Sequence, residues 1–353
     1  MVSHILVAGG YGVVGSNVAR LLRESGFSGR IGVAGRHPER GEQLAAEIDG
    51  QCHYLDSSDP ASIAEALKGY DLVLAVLKDP QGNLLEAALA EGCDFVGITQ
   101  SPDTVAPMLF RVHSRNPRSA VVTLGHWQAG MATNAARLLA RRFEAVSDVR
   151  IAALYDRNDP VGPMATEDTG EYMSRALIRE EGRWRWVEAR PAVRAVERES
   201  EEPFQAIPMG VLDTVSLAAV TGASNIRFDI GVGQSRGSAA GRGASHEVYF
   251  ELQGSGHDGQ PLEVRAVLSD PSGQAHLTAI GLVAAARALV DAGSSASPAT
   301  GWHVPETLID PVGALDLAAR FGATLTESLP GDRADADAGA GVGAAANEPE
   351  MLG

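Results

Sequence analysis

Two rhythms of apolar residues alternate through the first 125 positions. Short apolar runs read as buried strands at Ile5–Ala8, Arg30–Arg36, Cys52–Leu55, Tyr70–Leu77, Asp94–Ile98 and Ser119–Leu124. Between them the apolar spacing turns helical. Val14, Val18, Leu21 and Leu22 share one face, and further helices are predicted over Pro38–Ile48, from Asp59-Pro60 onward, from Asn83 to Gly92 and over Asp103–Val112. Asp59 before Pro60 supplies a capping residue and a first-turn proline, and Asn83 with Glu86 has the spacing of a capping box.

Beyond residue 145 the pattern changes. Strands are predicted at Asp148–Tyr155, Trp184–Val187 and Asn225–Val232, with a helix running to Ala176 and another from Asp213 to Gly222. Val248, Phe250 and Leu252 alternate with polar residues, as do Leu262, Val264, Ala266 and Leu268. The Asp258-Gly259 turn between them predicts a hairpin. Gln234–Ala244 is rich in Gly and Ser and reads as a loop. A long apolar helix (Ala275–Ala292), a shorter one (Asp310–Phe321) and a strand (Ala323–Leu329) follow. From Gly331 onward almost nothing can be buried, which predicts a disordered acidic tail.

The first turn carries the most specific signal. Gly10-x-Gly12-x-x-Gly15 follows the first strand and opens the first helix. In the dinucleotide fingerprint the first glycine permits the tight turn, the second admits a pyrophosphate and the third packs helix on sheet, with free N–H groups facing the phosphates. The expected fold is therefore α/β: a Rossmann-type doubly wound parallel sheet with an inserted α+β domain containing a mainly antiparallel sheet. Residues 1–125 form the nucleotide domain, 126–274 a substrate and dimerisation domain, 275–329 helices and a strand returning to the first domain, and 330–353 the tail. Cofactor contacts are expected from Gly10, Tyr11, Gly12, Val13, Val14, Gly15, Arg36, His37 and Asp56. The second strand ends on Gly35 and Arg36, where an NAD site places a carboxylate for the ribose 2′-OH. A guanidinium there suits a 2′-phosphate, so NADP is the expected cofactor. The plain alternative is an arginine that starts an exposed helix.

A formal charge of −16 disfavours nucleic acid as a partner. Arg137, Arg141 and Arg142 read as a solvated helix face. Two cysteines, Cys52 and Cys93, are too few for a disulfide framework, and His246, His257, His276 and His303 lack metal-ligand spacing, so no metal is expected. The early first strand leaves no room for a signal peptide, and no apolar run reads as a membrane span. The expectation is a cytoplasmic protein with a small-molecule substrate, no nucleic-acid or membrane partner, and a homodimer formed through the second domain's sheet.

Several separated segments resemble the saccharopine dehydrogenase-like oxidoreductases. They are Val7-Ala8-Gly9-Gly10-Tyr11-Gly12-Val13-Val14-Gly15, Ala34-Gly35-Arg36, Gly125-His126-Trp127-Gln128-Ala129-Gly130-Met131 and Gly301-Trp302-His303-Val304-Pro305-Glu306 with Asp310-Pro311. The resemblance runs from residue 1 to about residue 329. It implies a nicotinamide-dependent enzyme working at a carbon–nitrogen bond of an amino-acid-like substrate. Where the family has Tyr-Val-Asp after its fifth strand this chain has Phe95-Val96-Gly97, so saccharopine itself is not the expected substrate.

Hydride transfer also needs a group that moves a proton. Residues just past the fourth and sixth strands are placed for it. Lys78 offers an amine that burial can tune or that can anchor a carboxylate, and His126 offers a near-neutral imidazole. Each has a plain alternative, a solvated lysine and a packed histidine. Gln100 and Trp127 are candidates for the same cleft, with Tyr155, Asp168 and Tyr172 from the second domain. The expected reaction is reduction of an imine or carbonyl, or its reverse. A carbon–carbon double-bond reductase or a non-catalytic NADP-binding regulator are the alternatives.

Overall fold

The computed structural model describes residues 2–98, 102–115, 117–162, 174–199, 201–293 and 299–328. Its first sheet has seven parallel strands: β1 (His4–Ala8), β2 (Arg30–Gly35), β3 (Gln51–Tyr54), β4 (Leu72–Ala75), β5 (Asp94–Gly97), β6 (Ala120–Thr123) and β15 (Gly301–His303). They lie in the order β15-β6-β5-β4-β1-β2-β3, so the winding direction reverses between β1 and β4. Ligands of doubly wound sheets bind in the crevice at such a switch, beyond the strands' carboxyl ends.

Strands buried on both faces explain their continuous apolar sequences. Ile5, Val7, Leu72 and Leu74 face one layer, Leu6, Ala8, Val73 and Ala75 the other. The first layer holds α1 (Val13–Glu24) and α9 (Gln274–Gly293). The second holds α3 (Pro60–Leu67), α4 (Asn83–Glu91) and α5 (Pro102–Arg115).

Helix α9 is long and apolar enough to cross a membrane, contrary to the sequence expectation. Leu277, Ile280, Leu282 and Val283 are nevertheless fully buried in the protein core. Each such side chain contributes about 2 kcal/mol of transfer free energy.

The second sheet has nine strands: β7 (Phe143–Tyr155), β8 (Arg175–Glu180), β9 (Arg183–Glu188), β10 (Arg194–Val196), β11 (Phe204–Pro208), β12 (Asn225–Val232), β13 (His246–Gly256), β14 (Pro261–Asp270) and β16 (Thr324–Ser328). Only β12 and β7 pair in parallel; every other pairing is antiparallel. The hairpin β13–β14 forms with Asp258 and Gly259 in its turn. One face of this sheet, including Ile151, Phe228 and Phe250, shares the main core with α6 (Met131–Ala140), α7 (Asp213–Thr221) and α9.

Several local expectations are corrected. The final strand leaves the first domain and pairs with β14, while the unanticipated β15 extends the first sheet beside β6. Ala176 lies in β8 rather than at a helix end. Pro38–Ile48 splits into a 3-10 turn (Pro38–Arg40) and α2 (Glu42–Glu47). The break falls at Gly41, where a Cβ would lie 2.8 Å from the Tyr11 ring and 2.7 Å from Cys52 Sγ.

Asn83 does not cap α4. Gly82, left-handed at φ 75°, takes the cap position, and Asp79 Oδ2 accepts from Leu84 N (3.0 Å) and Leu85 N (3.1 Å). Nor is Gln234–Ala244 one open loop: buried Ser235 caps the short helix α8 (Arg236–Ala239). Arg137 is also not simply solvated. It clamps the C-terminal segment through Ile309 O (2.8 Å) and Glu306 O (3.3 Å). The acidic tail lies outside the described residues.

Candidate functional site

At the β1–α1 turn the first and third fingerprint glycines are sterically required. A Cβ on Gly10 would meet Val7 O at 2.6 Å, and one on Gly15 would meet Gly9 O at 2.2 Å. A Cβ on Gly12 would meet only Gly9 O, at 3.3 Å, so its outer side stays open. Helix α1 has no side-chain cap and no acidic residue in its first turn. Its orphan N–H groups and positive dipole end fit a pyrophosphate. Val13 is 39% exposed beside this turn, and Val14 packs partly into the core.

Tyr11 bends toward the exit of β2. Its ring stands where Cβ atoms of Gly35 and Gly41 would be, and its hydroxyl accepts from His37 N at 2.7 Å. The fingerprint tyrosine therefore fixes the loop that presents Arg36 and His37, both exposed. No hydrogen bond or ion pair engages Arg36 among the described residues, though its charge reaches Asp56. Asp56 accepts Ser58 N (2.9 Å) and Ser58 Oγ (2.7 Å), and these bonds hold its carboxyl below the usual range. The residue that ends β2 is followed by Arg36 rather than a carboxylate, which suits a 2′-phosphate, while Glu39 in the next turn lies 3.3 Å from His37 Nδ1.

Across the switch, Lys78 is half-buried just past β4, and its carbonyl accepts Ser57 Oγ at 3.1 Å. His126, past β6, is only 5% exposed, with Nε2 2.8 Å from Ser216 Oγ. Burial drops its pKa to about 3, so it stays neutral. That environment matches the packed-histidine alternative rather than a proton shuttle. Gln100, Asp168 and Tyr172 lie outside the described residues, and Tyr155 ends β7 partly buried against the core.

The β6 exit continues into a left-handed turn, with Gln128 at φ 52°, Ala129 at 50° and Gly130 at 86°. Non-glycine residues persist there only when the surroundings fix them. Asp213 Oδ2 accepts Trp127 N and its Oδ1 accepts Thr133 Oγ1, each at 2.7 Å. Trp127 Nε1 donates to His246 Nε2 at 3.2 Å, and Gln128 Nε2 lies 3.0 Å from the same nitrogen. The Thr278 hydroxyl on α9 meets Gln128 Oε1. The domains thus join through a buried polar seam.

Carboxylates cluster at the end of the second sheet that leads into α9. Asp156, just past β7, accepts Ser235 N (2.9 Å) and Ser235 Oγ (2.7 Å). Burial works to raise its pKa, but these and further bonds outweigh that and hold it at about 2. Asp159 accepts Gln274 N at 2.8 Å, the first residue of α9. Burial, with Asp156, Asp270 and Glu247 nearby, pushes its pKa up to about 6. Asp270, fully buried at the end of β14, lies 2.7 Å from His276 Nδ1. Sequence reasoning missed this pair. The available signal was a carboxylate closing a strand and a histidine opening the next helix.

A two-domain protein is defined by this geometry, with a dinucleotide-binding domain and a mixed-sheet domain joined at the β6 exit. Residues 5–152 match the family model of the saccharopine dehydrogenase NADP binding domain. The cofactor domain is thus of the saccharopine dehydrogenase-like, NADP-binding type. In fold the chain is similar to apo saccharopine dehydrogenase (L-Glu forming) from Saccharomyces cerevisiae, with TM-score 0.70 and 12% identity over 92% of this chain and 99% of that one. A probable dehydrogenase from Thermotoga maritima gives TM-score 0.48 and 12% identity over 90% and 94%. Scyllo-inositol dehydrogenase from Lactobacillus casei gives 0.48 and 9% over 90% and 96%. No curated protein sequence matches the chain.

Proposed function

We propose that the protein is an NADP(H)-dependent oxidoreductase acting on a C=N or C=O carbon of a small amino-acid-like substrate between its two domains. The observation that carries this reading is the uncapped, acid-free start of α1 inside its glycine cradle. Gly10, Tyr11, Gly12, Val13, Val14 and Gly15 would hold the pyrophosphate side, and Arg36, His37 and Asp56 the adenosine side. When bound, the cofactor supplies or accepts hydride at its nicotinamide ring. Lys78, at the switch, either anchors a substrate carboxylate or moves the proton; His126, buried and neutral, fixes the β6 exit through Ser216. Polar groups at this edge (Lys78, Trp127 and Gln128) favour a small polar substrate over a lipid. The enzyme works in the cytoplasm as a homodimer. Trp184 and Trp186 on β9, 45% and 51% exposed, are apolar surface that pairing through the second domain would cover.

Fluorescence titration of the wild type and Arg36→Ala with NADPH and NADH tests the reading. A lost charge-assisted phosphate contact of about 1.5–3 kcal/mol weakens NADPH about 10- to 100-fold and leaves NADH nearly unchanged. Binding of neither cofactor to the wild type would sink the assignment. With binding established, NADPH consumption is followed across 2-oxo acids with ammonium, cyclic imines and aldehydes.

A further inference from the structure

We propose that His276, oriented by Asp270, is the acid–base group of this cleft; the inference rests on the oxidoreductase reading above. Helix α9 packs along α1, with Arg287 Nη1 bonded to Ser25 O at the far end of α1. Its other half lies against the β6-exit turn, where a Cβ on Gly281 would meet Ala129 O at 2.6 Å. The two helices therefore run parallel, and α9 also contacts β4 and β5. Its first turns project past the carboxyl edge, on the β4–β5 side of the switch. His276 stands on those turns.

The pair has the construction of a base and its orienter. Nδ1 is 2.7 Å from Asp270 Oδ2, while Asp270 Oδ1 is taken by Ser272 N at 2.9 Å. A buried carboxylate facing Nδ1 fixes the tautomer and leaves Nε2 to act. Among the described residues Nε2 makes no hydrogen bond, and the side chain keeps 14% exposure. Two residues earlier, Gln274 Nε2 is buried with no partner, a second unmet donor in this turn. Asp159 pins the turn through Gln274 N, and Leu277 beside it is fully buried. The charged groups gathered here are Asp270, Asp159, Asp156 and Glu247, with Arg236 beyond Glu247.

In the reductive direction the Nε2–H bond of the imidazolium breaks and its proton goes to the substrate nitrogen or oxygen. That atom takes the π pair as its carbon gains hydride from NADPH, the reductant. His276 ends neutral, Asp270 stays ionised, and the reverse reaction returns the proton. Lys78 is then left to bind a carboxylate.

The deciding test is ring-¹⁵N NMR of the histidines in the full chain, with His276 assigned by its absence in His276→Gln. The expected result is one Nδ1–H tautomer whose Nε2 signal moves on saturation with NADPH. Asp270→Asn should mix the tautomers. Mixed tautomers in the wild type, or an Nε2 signal unmoved by bound NADPH, would overturn the proposal. Failure of NADPH to bind, seen by fluorescence in the same samples, refutes the oxidoreductase reading instead. With any substrate turned over, His276→Gln should lower kcat about 10²- to 10⁴-fold at unchanged NADPH Kd, and an unchanged kcat counts against His276.

Discussion

Asp213 gives the sharpest quantitative expectation. Its carboxylate is fully buried and accepts Trp127 N and the Thr133 hydroxyl, which hold the left-handed turn in place. Burial outweighs those bonds and raises its pKa from 3.8 to about 6. The unfolded chain therefore releases this proton before the folded protein does. Stability from the group is full below about pH 4, falls as pH rises, and is lost above about pH 6. A shift of about two units corresponds to about 3 kcal/mol. Asp213→Asn keeps an acceptor for Trp127 N and a donor for Thr133 Oγ1, yet cannot ionise. Urea unfolding of both proteins from about pH 4.5 to about pH 7.5 should show the variant gaining about 2 kcal/mol over the wild type across that range, the remaining ~1 kcal/mol falling below it. The difference between the curves is what matters, because Asp159, also raised to about 6, imposes the same trend on both. Parallel curves would refute the account.

Two further outcomes are expected. Tyr11→Phe removes the hydroxyl that accepts from His37 N, worth about 1 kcal/mol, so NADPH should bind about 2- to 10-fold more weakly with little change in thermal stability. An unaltered Kd would mean that the Arg36 loop holds its shape without this bond. Gly281→Ala places a Cβ 2.6 Å from Ala129 O and 2.7 Å from Gln128 O, both backbone. It should cost about 1–3 kcal/mol in urea unfolding. A neutral result would show that α9 can move away from the β6-exit turn.

What the sequence disclosed follows the range over which each feature is decided. The β1–α1 turn is legible because its requirements are local. Three glycines meet the backbone atoms of their own turn or the adjoining strand, and an apolar strand precedes them. The β13–β14 hairpin is legible for the same reason, since alternation and a short turn with Gly259 in the left-handed region fix its register. The path of β16 is not. An alternating five-residue segment specifies a half-buried strand but not which sheet it joins, and β14 offers it an edge in the second domain. Asn83 misled because a capping box is defined by spacing, whereas Asp79 reaches the same helix start across the intervening turn.

Site residues divide along the same line. Burial of His126 depends on α7, ninety residues away in sequence, so a histidine at a strand exit looked reactive while the fold buries it and holds it neutral. His276 was set aside for want of metal-ligand spacing. Its partner is only six residues away, a local pairing that sequence could have flagged. Its position was not local. That is set where α9 lies along α1, a packing between segments about 260 residues apart that no pattern within either helix encodes. The chemistry assigned to His276 therefore depends on the α1–α9 contact. A substitution that tilts α9, such as Gly281→Ala, should disturb the response of the His276 ring signals to NADPH without touching Asp270. If that response survived, the placement of His276 would not derive from α9 packing.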